Sequence, residues 1–215
     1  MTRIVENDGK LMRIWYGGIC DLLNERIGWN RTRLTNSAKL IVREALLRST
    51  EVQALSKPSE LTAILGFEKG SEAMRLEELT NAITNSISVR HEAFRMIGTQ
   101  VKGFIEVSLI PQSYKDLFAL PAAVVETEKG DQLPWLRWML TAGDRILISD
   151  HTVVVRMGRN NMGRSGHAVM ITSPNARAAR VPPEYSGTED NNFITRTFDE
   201  EYHRNMEQII YETLS

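Results

Sequence analysis

The sequence predicts an α+β fold: a helical N-terminal half, then a small, mainly antiparallel sheet packed by a C-terminal helix. Apolar residues recur at helical spacing through residues 1–110. Short runs rich in β-branched residues, separated by turn residues, dominate residues 111–215. We therefore divide the chain into a helical region, 1–110, and an α+β region, 111–215. These regions form either two units or one integrated domain.

Five helices are predicted in the helical region, each from an apolar stripe at helical spacing. Their ranges are 11–27, about 37–49, a short helix from Ser59 to Gly66, a helix from Ser71 to about Ile87, and about Ser88 to Leu109. Gly28 suits the C-cap of the first helix. Gly98 and Gly103 mark either close packing of the fifth helix or a break in it, and the sequence leaves both open.

The α+β region is predicted to contain short strands, one internal helix and one final helix. The strands are 122–127, a hairpin of 145–149 with 152–157, and 167–173. Pro134 fits the first turn of a short helix over 133–141. From about Thr195 a helix carries Phe198, Tyr202 and Ile209 on one face, and we expect it to lie on the sheet.

Composition excludes several classes of protein. The net charge of -1 argues against a general nucleic-acid binder. No apolar run approaches the ~20 residues of a membrane span, and the N-terminus lacks the apolar core of a signal peptide. The single cysteine, Cys20, excludes an intramolecular disulfide and sits among apolar residues, which predicts a buried thiol. A reducing compartment such as the cytoplasm is the expectation.

Charge is divided along the C-terminal half. From Asp144 to Arg180 there are six arginines against two aspartates, a net charge of +4. From Glu184 to Glu212 there are eight acids against two arginines, a net charge of -6. Such a chain pairs either with itself or head-to-tail with a neighbouring copy, as rings require.

The stretch from Gly158 to Arg196 is rich in Gly, Asn, Arg and Pro, which suit a structured loop better than a packed interior. We interpret its part 158–192 as an extended arm that presents a contact surface. Three roles are open for the arginines around it: contact with nucleic acid, salt pairing with acids of another copy, or simple solvation.

Catalytic and ligand-binding patterns are weak. Ser165 and His167 are two residues apart, near Asp150, but glycine follows the serine directly, which breaks the pattern of a nucleophile elbow. The four histidines have no spacing typical of a metal site, and there is neither a P-loop nor a G-x-G-x-x-G. We therefore expect no enzyme, metal, cofactor or small-molecule substrate, with a Ser/His hydrolase as a lesser alternative.

Several motifs of the C-terminal third resemble neck and tail-completion proteins of tailed bacteriophages. Arg164-Ser165-Gly166 before the strand AVMI is similar to their R-[ST]-G-x-A-x-M turn. Residues 180–188, RVPPEYSGT, resemble their R-V-P-P-E-[FY]-x-G-T stretch. Residues 192–196, NFITR, resemble their N-F-I-T-R-A block, with Thr197 in place of alanine. The resemblance covers about the last 60 residues well and the rest weakly.

This resemblance implies a structural virion protein at the head–tail junction, without cofactor or catalysis. Its expected partners are further copies in a ring, adjacent neck, tail or portal-side proteins, and passing DNA; its expected location is the virion, after synthesis in the bacterial cytoplasm. The alternative is a DNA-binding virion or packaging factor that uses the basic loop 156–180. The predicted interface residues are Arg156, Arg159, Arg164, Arg177, Arg180, Pro182, Pro183, Glu184 and Tyr185.

Overall fold

The α+β fold is confirmed. A computed structural model describes residues 8–109, 114–126, 130–143, 146–148, 151–155, 168–172, 179–198 and 200–214. Its helices are α1 (Asp8–Arg48), α2 (Thr50–Leu55), α3 (Glu60–Ile64), α4 (Glu72–Asn85), α5 (Lys115–Phe118), α6 (Trp135–Thr141) and α7 (Glu200–Leu214). Its strands are β1 (Ile87–Ile97), β2 (Gln100–Leu109), β3 (Val125–Glu126), β4 (Gln132–Leu133), β5 (Ile146–Ile148), β6 (His151–Val155), β7 (Ala168–Thr172) and β8 (Ala179–Arg180).

The first two predicted helices are one continuous helix of 41 residues, so the predicted break at Gly28 is wrong. Gly28 lies inside α1 at an exposed position, and nothing lies within 4 Å of where its Cβ would be. A glycine in a helix interior costs about 1 kcal/mol relative to alanine. Burial of the apolar residues on both sides of it outweighs that cost, because Ile27 and Leu34 are each only 1% exposed.

The apolar stripe predicted for the first helix is only partly correct. Cys20 and Ile27 face the interior, as predicted. Leu11, Trp15 and Leu22 belong to the apolar stripe that predicts this helix, yet their exposed fractions are 45%, 66% and 49%. The inner face of α1 is instead continued by residues of its C-terminal half: Leu34, Ala38, Val42 and Leu46.

The predicted fifth helix, Ser88 to Leu109, is wrong: these residues form the antiparallel hairpin of β1 and β2. Ile97 pairs with Gln100, which leaves a two-residue turn, and Gly98 adopts φ 65° there. That left-handed conformation is open to glycine and strained for most other residues. Gly98 is therefore the break that the sequence left open, and the β-branched and aromatic residues of the segment are strand residues.

The hairpin contains a β-bulge that α1 stabilises. The register shifts between Glu92 and Arg95, so two residues of β1 face Gly103 of β2. The side-chain amide of Asn24 donates to the Phe94 carbonyl oxygen at 2.9 Å, and its oxygen accepts the Phe94 N–H at 2.7 Å. A Cβ on Gly103 would lie 2.7 Å from the Phe94 ring, so this position requires glycine. The bulge thus fastens the hairpin to α1.

One apolar core cluster draws on residues of both predicted regions. Phe67 and Trp135, both essentially buried, meet edge to face with ring centroids 4.9 Å apart. The C-terminal helix α7 lies along α1, where Tyr202 and Met206 join the core and Arg26 Nη1 donates to the Leu214 carbonyl oxygen at 2.5 Å. The inner face of α1 is thus covered by α4, α7 and the hairpin.

Strand pairing in the α+β region differs from the prediction. The strands β5 and β6 were expected to pair with each other, but β5 pairs with β8 and β6 pairs with β7, all antiparallel. Strand propensity is local, whereas the choice of a partner depends on distant parts of the chain. The strand predicted at 122–127 is reduced to β3, because Pro121–Ala123 form a 3-10 turn.

The remaining helices agree well with the prediction. A capping box between Ser59 and Thr62 opens α3, and Pro134 directly precedes α6. The final helix was predicted from about Thr195, where the structure has a 3-10 turn, Thr195–Thr197, before α7 begins at Glu200.

Candidate interaction site

The predicted interface residues divide into two groups. Arg156, Arg159, Arg164 and Arg177 lie outside the described residues. Arg180 belongs to β8, where its backbone pairs with Ile146. Within the predicted arm, 158–192, the structure describes β7, β8 and residues 181–192. Residues 181–192 continue to residue 198 as a loop, and we call residues 181–198 the C-terminal loop. It contains Pro182, Pro183, Glu184 and Tyr185.

The C-terminal loop begins with a tight turn. Val181 is fully buried and anchors its start. The Pro182 carbonyl oxygen accepts the N–H groups of Tyr185 at 2.9 Å and Ser186 at 3.1 Å. Pro183 and Glu184 are exposed at the tip of this turn, while Tyr185 is half-buried against the core. The turn therefore presents two of the predicted interface residues to solvent and uses the others to hold them.

Asn192 is the centre of the C-terminal loop. Its side chain is fully buried, and its amide nitrogen donates to the Thr188 carbonyl oxygen at 2.8 Å and to the Tyr114 hydroxyl at 3.1 Å. Its side-chain oxygen accepts the N–H groups of Ile194 at 3.0 Å and Thr195 at 3.2 Å. The Thr195 hydroxyl accepts the Asn192 N–H at 2.9 Å. One side chain thus bonds to loop backbone on both sides of itself and ties the loop to the core.

Gly187 allows the loop to close on itself. A Cβ at this position would lie 2.6 Å from the Asn192 Cβ and 2.7 Å from the Met139 carbonyl oxygen. The Gly187 carbonyl oxygen also accepts the Gly143 N–H at 2.9 Å. No side chain fits between the loop and α6, so the glycine has a packing reason.

The loop ends in an ion pair with the start of α2. Arg196 Nη2 bonds to Glu51 Oε1, and the Glu51 side chain is only 5% exposed. The Thr50 hydroxyl donates to the other Glu51 oxygen at 3.1 Å. Because a buried carboxylate is costly without a partner, this pair holds the loop against the helical region.

A cleft of about 400 Å³ lies beside this ion pair. A second pair, Arg48 with Glu201 at 3.2 Å, closes one side of it, and both of its side chains are more than half exposed. Glu184 also lines the cleft, so a predicted interface residue borders it. Tyr202 forms part of the wall, and burial raises its pKa to about 12. The cleft is mainly polar and charged at its rim.

Sequence reasoning assigned no role to Asn192 and Gly187, although both lie in segments that carry the resemblance. A local signal for Asn192 was present. Asparagine followed three residues later by threonine allows reciprocal bonds between side chains and backbone, as in a helix cap. The signal for Gly187 is weaker, because a close approach to α6 is a contact over 48 residues of sequence.

No protein-family model matches the chain, and no curated protein or solved structure matches it. Within the described residues, no helix is both long and apolar enough to cross a membrane. The same residues contain no group of three or more His, Cys, Asp or Glu side chains that could hold a metal ion. The function must therefore be argued from the residues of this chain itself.

Proposed function

We propose that this chain is a structural virion protein of a tailed bacteriophage that forms part of the neck or head–tail junction. It joins neighbouring subunits, in a ring, through the arm at residues 158–192. The proposal assigns it no catalytic role and no cofactor. Its location is the virion, after synthesis in the bacterial cytoplasm, and its partners are further copies and adjacent neck, tail or portal-side proteins.

One observation carries this proposal. Two of the three segments that carry the resemblance, 180–188 and 192–196, come together in the C-terminal loop, with Arg180 in β8 just before it. The buried residues of these segments, such as Val181 and Asn192, pack or bond within the protein, while Pro183 and Glu184 are exposed at the tip of the turn. A loop that is already ordered loses little entropy on binding, which suits a contact between subunits. The arrangement of these motifs therefore supports a role in contacts between subunits.

The direct test is quantitative mass spectrometry of purified particles of the virus that encodes the chain. We expect a small fixed number of copies relative to the major capsid protein, as one ring requires. Absence of the chain from mature particles would overturn the proposal. If the purified chain then retained DNA on a gel at low salt and released it at higher salt, the DNA-binding alternative would replace it.

A charge reversal tests the arm itself. The double variant Arg159→Glu/Arg164→Glu should leave heads and tails intact but unjoined, as seen by electron microscopy of lysates. The matched control is Lys57→Glu/Lys69→Glu, which makes the same change in charge at two exposed positions away from the loop. Normal infectious particles from the arm variant would contradict the proposed contact, while failure of both variants would point to net charge alone.

A further inference from the structure

The hairpin of β1 and β2 has one edge that is unpaired within the described residues. Ile97 and Gln100 close its two-residue turn, and the closing residues of such a hairpin exchange backbone hydrogen bonds. Residues at even positions of β2 therefore bond to β1, whereas residues at odd positions direct their N–H and carbonyl groups to the opposite side, which we call the β2 edge. These groups have no hydrogen-bond partner in the part of the chain that is described, and they belong to Val101, Gly103, Ile105 and Val107.

The outer edge of β1 is protected, whereas the β2 edge is not. The helix α1 packs mainly against β1, where the N–H and carbonyl groups of Phe94 bond to the Asn24 side chain. The bulge opposite Gly103 also interrupts β1. The ten residues of β2 include neither a bulge nor a proline and extend over about 33 Å. Since bulges, prolines and covering elements keep exposed edges from pairing with other chains, the β2 edge is open to a further strand.

The side chains on the solvent face of β2 are complementary to themselves about Phe104. Lys102 and Glu106 lie two residues before and after Phe104, and all three are exposed, Phe104 by 52%. Neither charged residue forms an ion pair with a described residue. An antiparallel copy of β2, with Phe104 opposite Phe104, sets each Lys102 against Glu106 of the other copy. A lysine on an edge strand discourages pairing unless an acid faces it, and this arrangement supplies the acid.

The backbone and the inner face of β2 suit the same register. The backbone groups of Phe104 point to β1, so the two Phe104 residues form a pair without mutual hydrogen bonds, in which side chains lie closest. The free groups of Gly103 then bond to Ile105 of the second copy, and those of Val101 bond to Val107 of the second copy. These residues carry only apolar side chains or none, and Ile105 and Val107 already pack against the core. The inner face of the joined sheet therefore stays apolar.

Other registers of two β2 strands do not pair these charges. Because a strand offers free groups at every second residue, the next antiparallel registers are centred on Gly103 or Ile105. Centring on Gly103 sets Lys102 against Phe104 of the second copy, and centring on Ile105 sets Glu106 against Phe104 of the second copy. A parallel pair in register sets Lys102 beside Lys102, which like charge disfavours. Charge pairing therefore selects the antiparallel register centred on Phe104.

From the free β2 edge and its charge pattern we infer that β2 pairs with β2 of a second copy of this chain. The two strands run antiparallel about a two-fold axis at Phe104, and they form a sheet of four strands in the order β1-β2-β2-β1. This inference does not depend on the proposed function, because it uses none of the arm at residues 158–192. Loss of either contact leaves the other in place, so the two proposals fail separately.

Charge variants of the full-length protein test the register. Sedimentation over a series of concentrations should give a particle with twice the mass of one chain. Lys102→Glu and Glu106→Lys each set like charges opposite each other, so each should raise the Kd of pairing about tenfold or more. An equimolar mixture of the two variants should bring the Kd back to within about threefold of the original, because every acid then faces a lysine. A chain that stays monomeric at every concentration, or a mixture that pairs no better than its components, would overturn the inference.

Two exposed apolar residues of the hairpin provide a matched comparison. Phe104→Ser removes the central pair and should raise the Kd about tenfold or more. Ile97→Ser, at a 48% exposed position on β1 beside the turn, should alter it less than about threefold. Circular dichroism of both variants checks that the fold is kept. Equal effects of the two variants on pairing would contradict a contact centred on Phe104.

Cross-linking decides the direction of the strands. In a Cys20→Ala background, proteins carrying Lys102→Cys and Glu106→Cys are mixed and oxidised. The antiparallel pair yields a disulfide between positions 102 and 106, because these residues lie opposite each other at a spacing that a disulfide can bridge. Disulfides that join 102 to 102 and 106 to 106 instead would show a parallel pair and overturn the proposed arrangement.

Discussion

The C-terminal loop and α1 differ in how their backbone groups are hydrogen-bonded and in how completely their side chains are buried. The loop has little regular structure, yet its backbone groups find partners through one buried side chain, Asn192. The helix satisfies its backbone internally and still leaves a line of large apolar residues in solvent. Regular structure and complete packing are therefore separate properties. Substitutions in the loop should lower the stability of the fold, while substitution of an exposed apolar residue of α1 such as Trp29, 78% exposed, should change it little.

The largest effect on folding is expected at the centre of the loop. Asn192→Ala should lower the free energy of unfolding by about 3–5 kcal/mol, because buried N–H and carbonyl groups lose their partner and each costs about 1–3 kcal/mol. Urea unfolding followed by circular dichroism measures this. Asn85→Ala, the same substitution at an exposed position at the end of α4, should change it by less than about 0.5 kcal/mol. Equal effects would mean that Asn192 is not the centre of the loop.

Two glycines extend the comparison, since replacing glycine by alanine should lower the free energy of unfolding in the loop and raise it in α1. Gly187→Ala should destabilise by about 2–3 kcal/mol, because its Cβ meets Asn192 and the Met139 carbonyl. Gly28→Ala, with open space around it in α1, should stabilise by about 0.5–1 kcal/mol. Thermal unfolding of both variants checks the signs, and a stabilised Gly187→Ala would refute the close approach to α6.

A smaller effect is expected where α1 holds the hairpin. Asn24→Ala removes both bonds to the Phe94 backbone and should cost about 1–3 kcal/mol. Hydrogen exchange should show faster exchange at the Phe94 amide. Asn30→Ala is the control, because the Asn30 side chain bonds to the Arg26 carbonyl within the same helix, at 2.9 Å. If the amide of Phe94 stays protected in Asn24→Ala, the bridge does not hold the bulge.

The smallest effect appears only at high pH. Burial raises the pKa of Tyr202 from 10.0 to about 12, so the folded protein keeps a proton that the unfolded chain has begun to lose. This contribution to stability is fully present below pH 10 and is lost as the pH rises through about 12. Tyr202→Phe should flatten the fall in unfolding free energy over that range. Tyr211→Phe, at a 74% exposed position, should leave the slope as it is.

Local features of the sequence correctly predicted much of the secondary structure. Helical spacing predicted α3 and α4, and Pro134 marked the start of α6. The burial of Cys20 was also predicted correctly. For the site, the sequence singled out the segments that form the C-terminal loop but assigned no role to Asn192 and Gly187, which hold the loop together. The interface role of the arginines stays a prediction, since four of the five lie outside the described residues.

Two features were decided by the tertiary structure alone: the hairpin in place of a fifth helix, and which side of α1 is buried. Both depend on contacts between residues that are distant in the sequence. The pattern of Phe94, Ile97 and Val101 fits a helix stripe, but Gly98 and the bond from Asn24 to Phe94 select the hairpin. The sequence does not show which apolar residues of α1 are buried. At about 100° per residue around the helix axis, Leu34 and Val42 lie on the buried side, whereas Trp29 and Leu40 lie on the opposite, exposed side. Sequence period determines which residues align along a helix. Which of those lines is buried is decided by the elements that pack against it.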